Sequence, residues 1–561
     1  MKVYIVITLS NVIVFQLPVE LLSHNKFIFL RGQSFTDGCP FFCKSIVPLK
    51  EQKINIEIKK RNILYRISNR TGHHLLHVLL LYNTEELHMS RWSVRIERVI
   101  LDDFKNVKHG EINLENKKST YRASVLGLYG QNGSGKTALI DSISILKLAL
   151  SGNRIPAKYA DYINIGSDSA SLKFQFLLKK GEAQYHAWYE FRIRRDLRQE
   201  DFSPQNIENS LDSISKYRVT LFDECLRFQY CDENIKIRMA SLIDTKTEEV
   251  FLPKSRYIEL VGTDKKTSTD VYVAYKLAEE RSRSFIFSRQ LVNTVRKNCS
   301  NVIYTDLINS LLTFGTRELF VINTDTSGLI SLNALPIAFK YKYDDEPKET
   351  FGQLAIPLNE SVLVPMELVD VVRELMNNMN IVLEQIIPGL SIKVYELDTE
   401  LSKDSKPGKR LQLMSERNGK EIPLKYESEG IKKIVSILQL LIVVYNSESI
   451  TLAVDELDAG IFEYLLGELL KVISEKGKGQ LIFTSHNLRP LETIDKGFIA
   501  FTTVNPENRY IRFVNVKGNN NLRDFYYRDI TLGEQTEPVY DPTNNYEIML
   551  ALKEAGKTYD T

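Results

Sequence analysis

Gly130-Gln131-Asn132-Gly133-Ser134-Gly135-Lys136-Thr137 matches the pattern G-x-x-x-x-G-K-[ST] at every position. Its flanks are the ones that pattern needs. Ala123 to Tyr129 is a short apolar run that reads as a buried strand. Thr137 to Leu150 reads as a helix, closed by Gly152. The glycines let the chain turn tightly enough for successive backbone N–H groups to point inward at an anion. The helix N-terminus behind them adds positive potential. The stretch therefore reads as a phosphate-binding loop. Gly130 to Gly135 cradle the phosphates of ATP, Lys136 reaches the β- and γ-phosphates, and the Thr137 hydroxyl is a Mg²⁺ ligand.

Three further stretches supply chemistry that such a loop could use. Ile450-Thr451-Leu452-Ala453-Val454-Asp455-Glu456 is an apolar strand ending in two adjacent carboxylates. Asp455 is expected to hold Mg²⁺, directly or through water. Glu456 is expected to accept a proton from the attacking water or to orient it. His486 follows the strand Leu481-Ile482-Phe483-Thr484-Ser485, where an imidazole could bond the γ-phosphate and sense its loss. Tyr426-Glu427-Ser428-Glu429-Gly430-Ile431-Lys432-Lys433 precedes the apolar run Ile434 to Tyr445. Ser428 and Gly430 open that helix and present hydroxyl and backbone N–H groups to an anion. The alternative for this last segment is a plain helix cap with nothing bound.

The order of these elements resembles the ABC-type ATPase superfamily, particularly its SMC, RecF and OLD-like branch. That order is phosphate loop, long insertion, signature serine-glycine, Asp-Glu strand and switch histidine. The resemblance covers about residues 90 to 515. It implies an α/β fold: a P-loop ABC-type ATPase head with an antiparallel β subdomain and a helical insertion. It also implies ATP and Mg²⁺ as cofactors and a homodimer closed through the ATP sites, with Ser428 and Gly430 acting on the partner's phosphate. Asp458-Ala459-Gly460 would lie in the D-loop region. The signature departs from the family in having Glu427 and Glu429 where a leucine and a second glycine are usual. Gln175 and Gln184 are the candidates for the Q-loop glutamine. Within the branch, Ser-Glu-Gly before two lysines and Asp-Glu-Leu-Asp-Ala-Gly look like the bacterial AbiLii-type ATPases. That likeness implies phage defence with a separate nuclease or toxin effector. A RecF-like DNA repair ATPase that clamps DNA is the alternative, and a non-hydrolysing nucleotide-gated scaffold is a third reading.

Composition limits these choices. The 561 residues carry 26% charged and 43% hydrophobic side chains and a net charge of +2, so no whole-chain field points to nucleic acid. Five scattered cysteines make no disulfide framework and fit a reducing, cytoplasmic setting. The longest uncharged stretch near the start, Val3 to Val19, falls short of the roughly 20 residues of a membrane span. No membrane association is expected.

Five segments follow along the chain. Residues 1–88 hold five of the eight histidines and 11 basic against 6 acidic residues, without clear periodicity. A zinc set of Cys39, Cys43, His73 and His77 matches known spacings poorly. A small extra domain is a second reading, and translation from Met89 is the favoured one. Residues 89–260 read as an ATPase lobe with the phosphate loop and β hairpins. One hairpin alternates Leu172, Phe174, Phe176 and Leu178 with Tyr185, Ala187, Tyr189, Phe191 and Ile193. Residues 261–390 read as a mainly helical insertion. Its best helix, 365–387, carries a seam of Leu368, Val372, Leu375, Met379, Val382 and Ile386. Residues 391–518 complete the ATPase lobe, and 519–561 form a tail. The tail has no compact acidic cluster, so nuclease activity within this chain is not expected.

Overall fold

The structure, a computed structural model, describes residues 3–9, 11–17, 55–57, 64–68, 76–81, 92–115, 123–197, 216–246, 251, 253–323, 334–342, 349–401, 407–513, 521–533 and 535–556. Side chains are described from 92 onward, except at 334–355. Two compact units divide the chain, Met1–Arg91 and Trp92–Thr561. The first holds strands β1 (Val3–Leu9), β2 (Asn11–Leu17), β3 (Asn55–Glu57), β4 (Leu64–Ser68) and β5 (Leu76–Leu81) in one antiparallel sheet of order β2-β1-β5-β4-β3. No strand pairing was legible here because Val3 to Val19 is a continuous uncharged run, which hides a period of two. Cys39, Cys43 and His73 lie outside the described residues, and for His77 only the strand is described.

In the second unit β6 (Ser93–Phe104), β7 (Val107–Asn113), β9 (Ser169–Lys180), β10 (Ala183–Leu197), β11 (Tyr217–Cys231) and β12 (Lys236–Asp244) form an antiparallel sheet of order β12-β11-β10-β9-β6-β7. β9 and β10 are the hairpin expected from alternation, in register from Ala183↔Lys180 to Arg194↔Ser169. The central sheet contains β8 (Ser124–Tyr129), β13 (Leu319–Ile322), β20 (Thr451–Val454), β21 (Gln480–Thr484), β22 (Ile499–Thr502) and β23 (Tyr510–Ile511), in the order β13-β20-β21-β8-β22-β23. All but β23 run parallel.

Strands buried on both faces send alternate side chains to opposite sides. Leu126 and Leu128 of β8 join the core shared with the antiparallel sheet and with helix α1 (Lys136–Leu150). Val125 and Tyr129 join the core on the other face. That second core is closed by residues of α6 (Met366–Ile386), α7 (Glu429–Asn446), α8 (Glu463–Lys476) and α10 (Leu522–Leu532). The helices between are α2 (Lys254–Val261), α3 (Lys265–Glu280), α4 (Arg289–Asn298) and α5 (Val302–Thr313). A short α9 spans Pro490–Thr493, and α11 spans Asn545–Gly556. The remaining strands are the hairpin β14 (Ala334–Lys342) and β15 (Glu349–Pro357), and a sheet of β16 (Val362–Pro365), β17 (Leu390–Leu401), β18 (Pro407–Arg417) and β19 (Lys420–Pro423). Buried Gln480 ties the two main sheets together: its amide accepts from Ile96 N at 3.0 Å and donates to Ile96 O at 2.7 Å. No helix among the described residues is long and apolar enough to cross a membrane.

Two sequence expectations differ from the fold. The span 261–390 is not purely an insertion, because its β13 is an edge strand of the parallel sheet. Leu-Phe-Val-Ile is four apolar residues after a helix, too short to show a period. In α6 the buried residues are Val369, Val372, Met376, Met379 and Leu383, whereas Leu368, Leu375, Val382 and Ile386 are only partly buried. The apolar face is wide enough to hold two overlapping seams. Packing chose the one rotated away from the heptad reading, as suits a helix lying on a core rather than in a coiled coil.

Candidate functional site

Parallel strands place their C-terminal ends on one edge of a sheet, and loops there converge. At that edge β8 leads into 130–137, β20 into Asp455-Glu456 and β21 into Ser485-His486. β21 lies between the other two, and its last residue, Thr484, bridges to the acidic pair. The Thr484 hydroxyl donates to Asp455 Oδ1 at 2.5 Å and accepts from Glu456 N at 2.8 Å.

Gly130 and Gly135 sit at φ 152° and 95°, in the region that only glycine enters freely. A Cβ on Gly130 would lie 1.8 Å from Thr502 Oγ1, so no other residue fits. Ser134 Oγ donates to Gln131 O at 2.6 Å and also meets the Thr502 hydroxyl. Gln131 is partly buried, whereas Asn132 and Gly133 are exposed. Asn106, in the β6–β7 turn, bonds the Gly133 carbonyl, and Tyr510 Oη donates to Gly135 O at 2.9 Å. These contacts fix the loop from three sides. Lys136 opens α1 and is buried. Its Nζ donates to Gly130 O at 2.7 Å and Gln131 O at 3.0 Å. Burial lowers the Lys136 pKa, while Asp455, Glu456 and Asp458 pull it back up, so this ammonium stands in the field of the acidic turn. Thr137 is partly buried in the first turn of α1.

Asp455 is 1% exposed, and its Oδ2 has no hydrogen-bond partner among the described residues. A buried carboxylate oxygen left without a donor costs free energy, on the order of 1–3 kcal/mol or more. Such an atom, beside the phosphate loop, suits a divalent cation. Glu456 is exposed and has φ 50°, a left-handed conformation that strains a non-glycine residue. The turn is nevertheless held, because Asp458 Oδ2 accepts from His486 N at 3.1 Å and Asn487 N at 2.9 Å. His486 is therefore anchored by its backbone while its ring is exposed.

Ser428 caps α7, its hydroxyl accepting from Ile431 N at 3.4 Å. A Cβ on Gly430 would lie 2.6 Å from Gly460 O, so the start of α7 packs on the acidic turn of its own chain. Among the described residues no hydrogen bond joins Ser428 to Gly430 with the phosphate loop. Lys433, one turn into α7, is buried; burial lowers its pKa against the pull of Asp458 and Glu456.

Lys136, Thr137, Asp455, Glu456 and His486 thus gather at one sheet edge, and Ser428 and Gly430 sit beside the acidic turn. The two glutamines considered for the Q-loop are elsewhere. Gln175 Nε2 donates to Glu97 Oε2 at 2.9 Å, and Gln184 Nε2 pairs with His186 Nε2 at 2.6 Å, both on the antiparallel sheet. Alternation on β9 and β10 sends them to that sheet's outer face. Sequence reading also missed Thr484, Thr502 and Asn106, which hold the site's carboxylate and loop. Thr484 lies inside the strand that precedes His486, and a hydroxyl at the end of an apolar strand was its one signal.

No family model and no curated protein matches the chain. Among solved structures, an SMC head domain from Thermotoga maritima is 14% identical, with a TM-score of 0.31 over 75% of this chain and 99% of that one. An SMC head with an extended coiled coil bound to the C-terminal domain of ScpA, derived from Pyrococcus furiosus, is 13% identical, with a TM-score of 0.31 over 74% and 96%. The recombination mediator protein RecF with ATPrS is 12% identical, with a TM-score of 0.30 over 74% and 98%. These are likenesses at low identity to SMC heads and RecF, and they lend nothing to the narrower AbiLii-type branch.

Proposed function

We propose that the chain binds and hydrolyses ATP and switches between monomer and dimer as it does so. The observation that carries this is the shared sheet edge: a complete phosphate loop, two strands from Asp455 with its partnerless buried oxygen. Backbone N–H groups of 130–137 and the Lys136 ammonium bind the phosphates. Thr137 and Asp455 would hold Mg²⁺, which when bound neutralises phosphate charge. Glu456 is exposed beside them, so it can take a proton from water. His486, fixed by its backbone, presents a ring to the same edge. Ser428 and Gly430 are held against the acidic turn of their own chain and present a helix N-terminus outward. We assign their anion to the phosphate bound by a second copy.

Mixing two dead variants tests that trans assignment. Ser428→Arg blocks one chain's signature, and Lys136→Ala disables the other's loop. Each alone has two dead sites. Mixed dimers recover one working site if Ser428 acts on the partner, and hydrolysis reappears on mixing. Demonstrated heterodimers with no recovered turnover would overturn the assignment. The cellular role we favour is phage defence with a separate nuclease or toxin effector, read from the signature and the Asp-Glu-Leu-Asp-Ala-Gly run. Purification of the native protein with or without such an effector tests it. A DNA-clamping role is the alternative, tested by whether ATP changes affinity for DNA.

A further inference from the structure

Each half of the candidate site borders an apolar surface that the described residues leave open. One belongs to the C-terminal segment. Gln131 of the phosphate loop donates through Nε2 to Asp541 O at 3.5 Å and accepts at Oε1 from Asp541 N at 3.0 Å. Just before, Val539 is buried and Val504 N donates to Pro538 O at 2.8 Å, so the segment is seated as it arrives at the loop. Four residues after Asp541 the helix α11 begins, and it has no buried residue. Tyr546, Ile548, Met549, Leu550 and Leu552 are all exposed, Leu552 at 71%. A helix of this length with no buried residue is marginal in water, and tertiary packing of an apolar face is what normally holds one.

The second surface borders the signature segment. Tyr426 stands two residues before Ser428 and is 69% exposed; Phe462 stands two residues after Gly460 and is 72% exposed. The contact of Gly430 with Gly460 brings these two stretches together. Exposed aromatics are anchors that protein interfaces use. Both surfaces are open in the same chain, so α11 does not cover the aromatic pair of its own chain.

We propose that α11 docks on the Tyr426–Phe462 surface of a second copy of this chain. The proposal rests on the trans reading of Ser428. In that arrangement each loop faces the partner's Ser428, so a helix tethered to one loop arrives beside the partner's Tyr426 and Phe462. The four-residue link from Asp541 reaches at most about 14 Å, which keeps α11 close to its own loop. A two-fold dimer repeats the contact twice, making it self-complementary. The arm would thus strengthen the closed dimer without touching nucleotide.

The experiment uses the full chain with Glu456→Gln, so that bound ATP persists, and measures dimerisation by sedimentation with MgATP. Leu550→Glu with Leu552→Glu alters only exposed positions, and an unchanged melting temperature verifies the fold. The expected result is a dimer at least roughly tenfold weaker, about 1.4 kcal/mol or more, with ATP affinity per chain unchanged. In a second measurement, Phe462→Cys chains mixed with Leu550→Cys chains and an added mild oxidant should form an interchain disulfide that requires MgATP and that neither single variant forms alone. If the Leu550→Glu/Leu552→Glu chain dimerises like its parent while Ser428→Arg stays monomeric, the docking is wrong and the trans reading stands. If the parent stays monomeric with MgATP, both fall. If the double variant loses ATP affinity instead, α11 serves its own loop and the proposal is overturned.

Discussion

Asp455→Asn separates a site built for a cation from a carboxylate that merely ends a strand. The side chain is 1% exposed; Oδ1 accepts from Thr484, and Oδ2 has no partner among the described residues. Asparagine keeps the shape and the Thr484 bond but removes the buried charge. An unsatisfied buried group costs about 1–3 kcal/mol and more when charged, so the variant is relieved only of the excess due to charge, because the amide Nδ2 standing in place of Oδ2 is a donor without an acceptor. Part of that is given back, because Asp455 also attracts the Lys136 ammonium. The net expectation is a protein about 1 kcal/mol more stable without metal, a rise on the order of 1–3 °C in Tm for a chain of this size. With MgATP the order should reverse. The parent gains stability from the bound ligand by mass action, whereas the variant, lacking a cation ligand, gains less. The assay is thermal unfolding of both proteins in EDTA, in ATP with EDTA, and in MgATP. If Asp455→Asn is destabilised in EDTA and responds to MgATP as fully as the parent, Oδ2 is not a metal ligand.

Lys136→Ala should weaken ATP binding by about 1.5–3 kcal/mol, the range for a charge-assisted contact, in a nucleotide titration; unchanged affinity would refute the loop's role. Glu456→Gln should bind ATP like the parent and turn it over about 10²–10⁴-fold more slowly, and a parent-like rate would remove Glu456 as the base. Away from the site, burial raises the Asp102 pKa, but Lys173 and His109 outweigh it and hold the carboxyl below its ordinary value. A depressed folded pKa stabilises above the unfolded pKa, about 3.9, and that stability is lost as pH falls through the folded value. The stability difference between parent and Asp102→Asn should therefore be full near neutrality and vanish in acid, as read by denaturant unfolding across pH. A difference that grows as pH falls below about 4 would contradict the ion pair to Lys173.

What was legible in the sequence was whatever is written within a dozen residues. The phosphate loop announces itself because its glycines, lysine and threonine are contiguous and sit between a strand and a helix. The strand ending in Asp455-Glu456 and the β9–β10 hairpin are local in the same sense. What was not legible needs a partner far along the chain. Thr484 matters because β21 is the strand next to β20, and Thr502 because β22 is the strand next to β8. Asn106 reaches Gly133 only because β6 and β7 turn at the loop. Nothing in the local pattern around these three residues encodes strand order. The glutamines failed for the opposite reason. Gln175 and Gln184 sit within clear strands, but strand period alone cannot say whether an outward polar residue faces a ligand or, as here, a neighbouring Glu97 or His186.

The places where local rules are broken carry the most information about function, because a sequence tolerates strain only where something else requires it. Three such breaks fall at one sheet edge. Gly130 stands where a Cβ would collide with Thr502, Asp455 has a buried oxygen without a donor, and Glu456 takes a left-handed backbone. Elsewhere a buried carboxylate is fully answered. Glu224 receives Tyr189 Oη, Ser284 Oγ and the Phe285 amide, and it serves to pin the chain before α4 onto β11. The contrast between Glu224 and Asp455 separates structure from chemistry. One acid is surrounded by donors from its own chain, and the other has one oxygen that no described donor reaches.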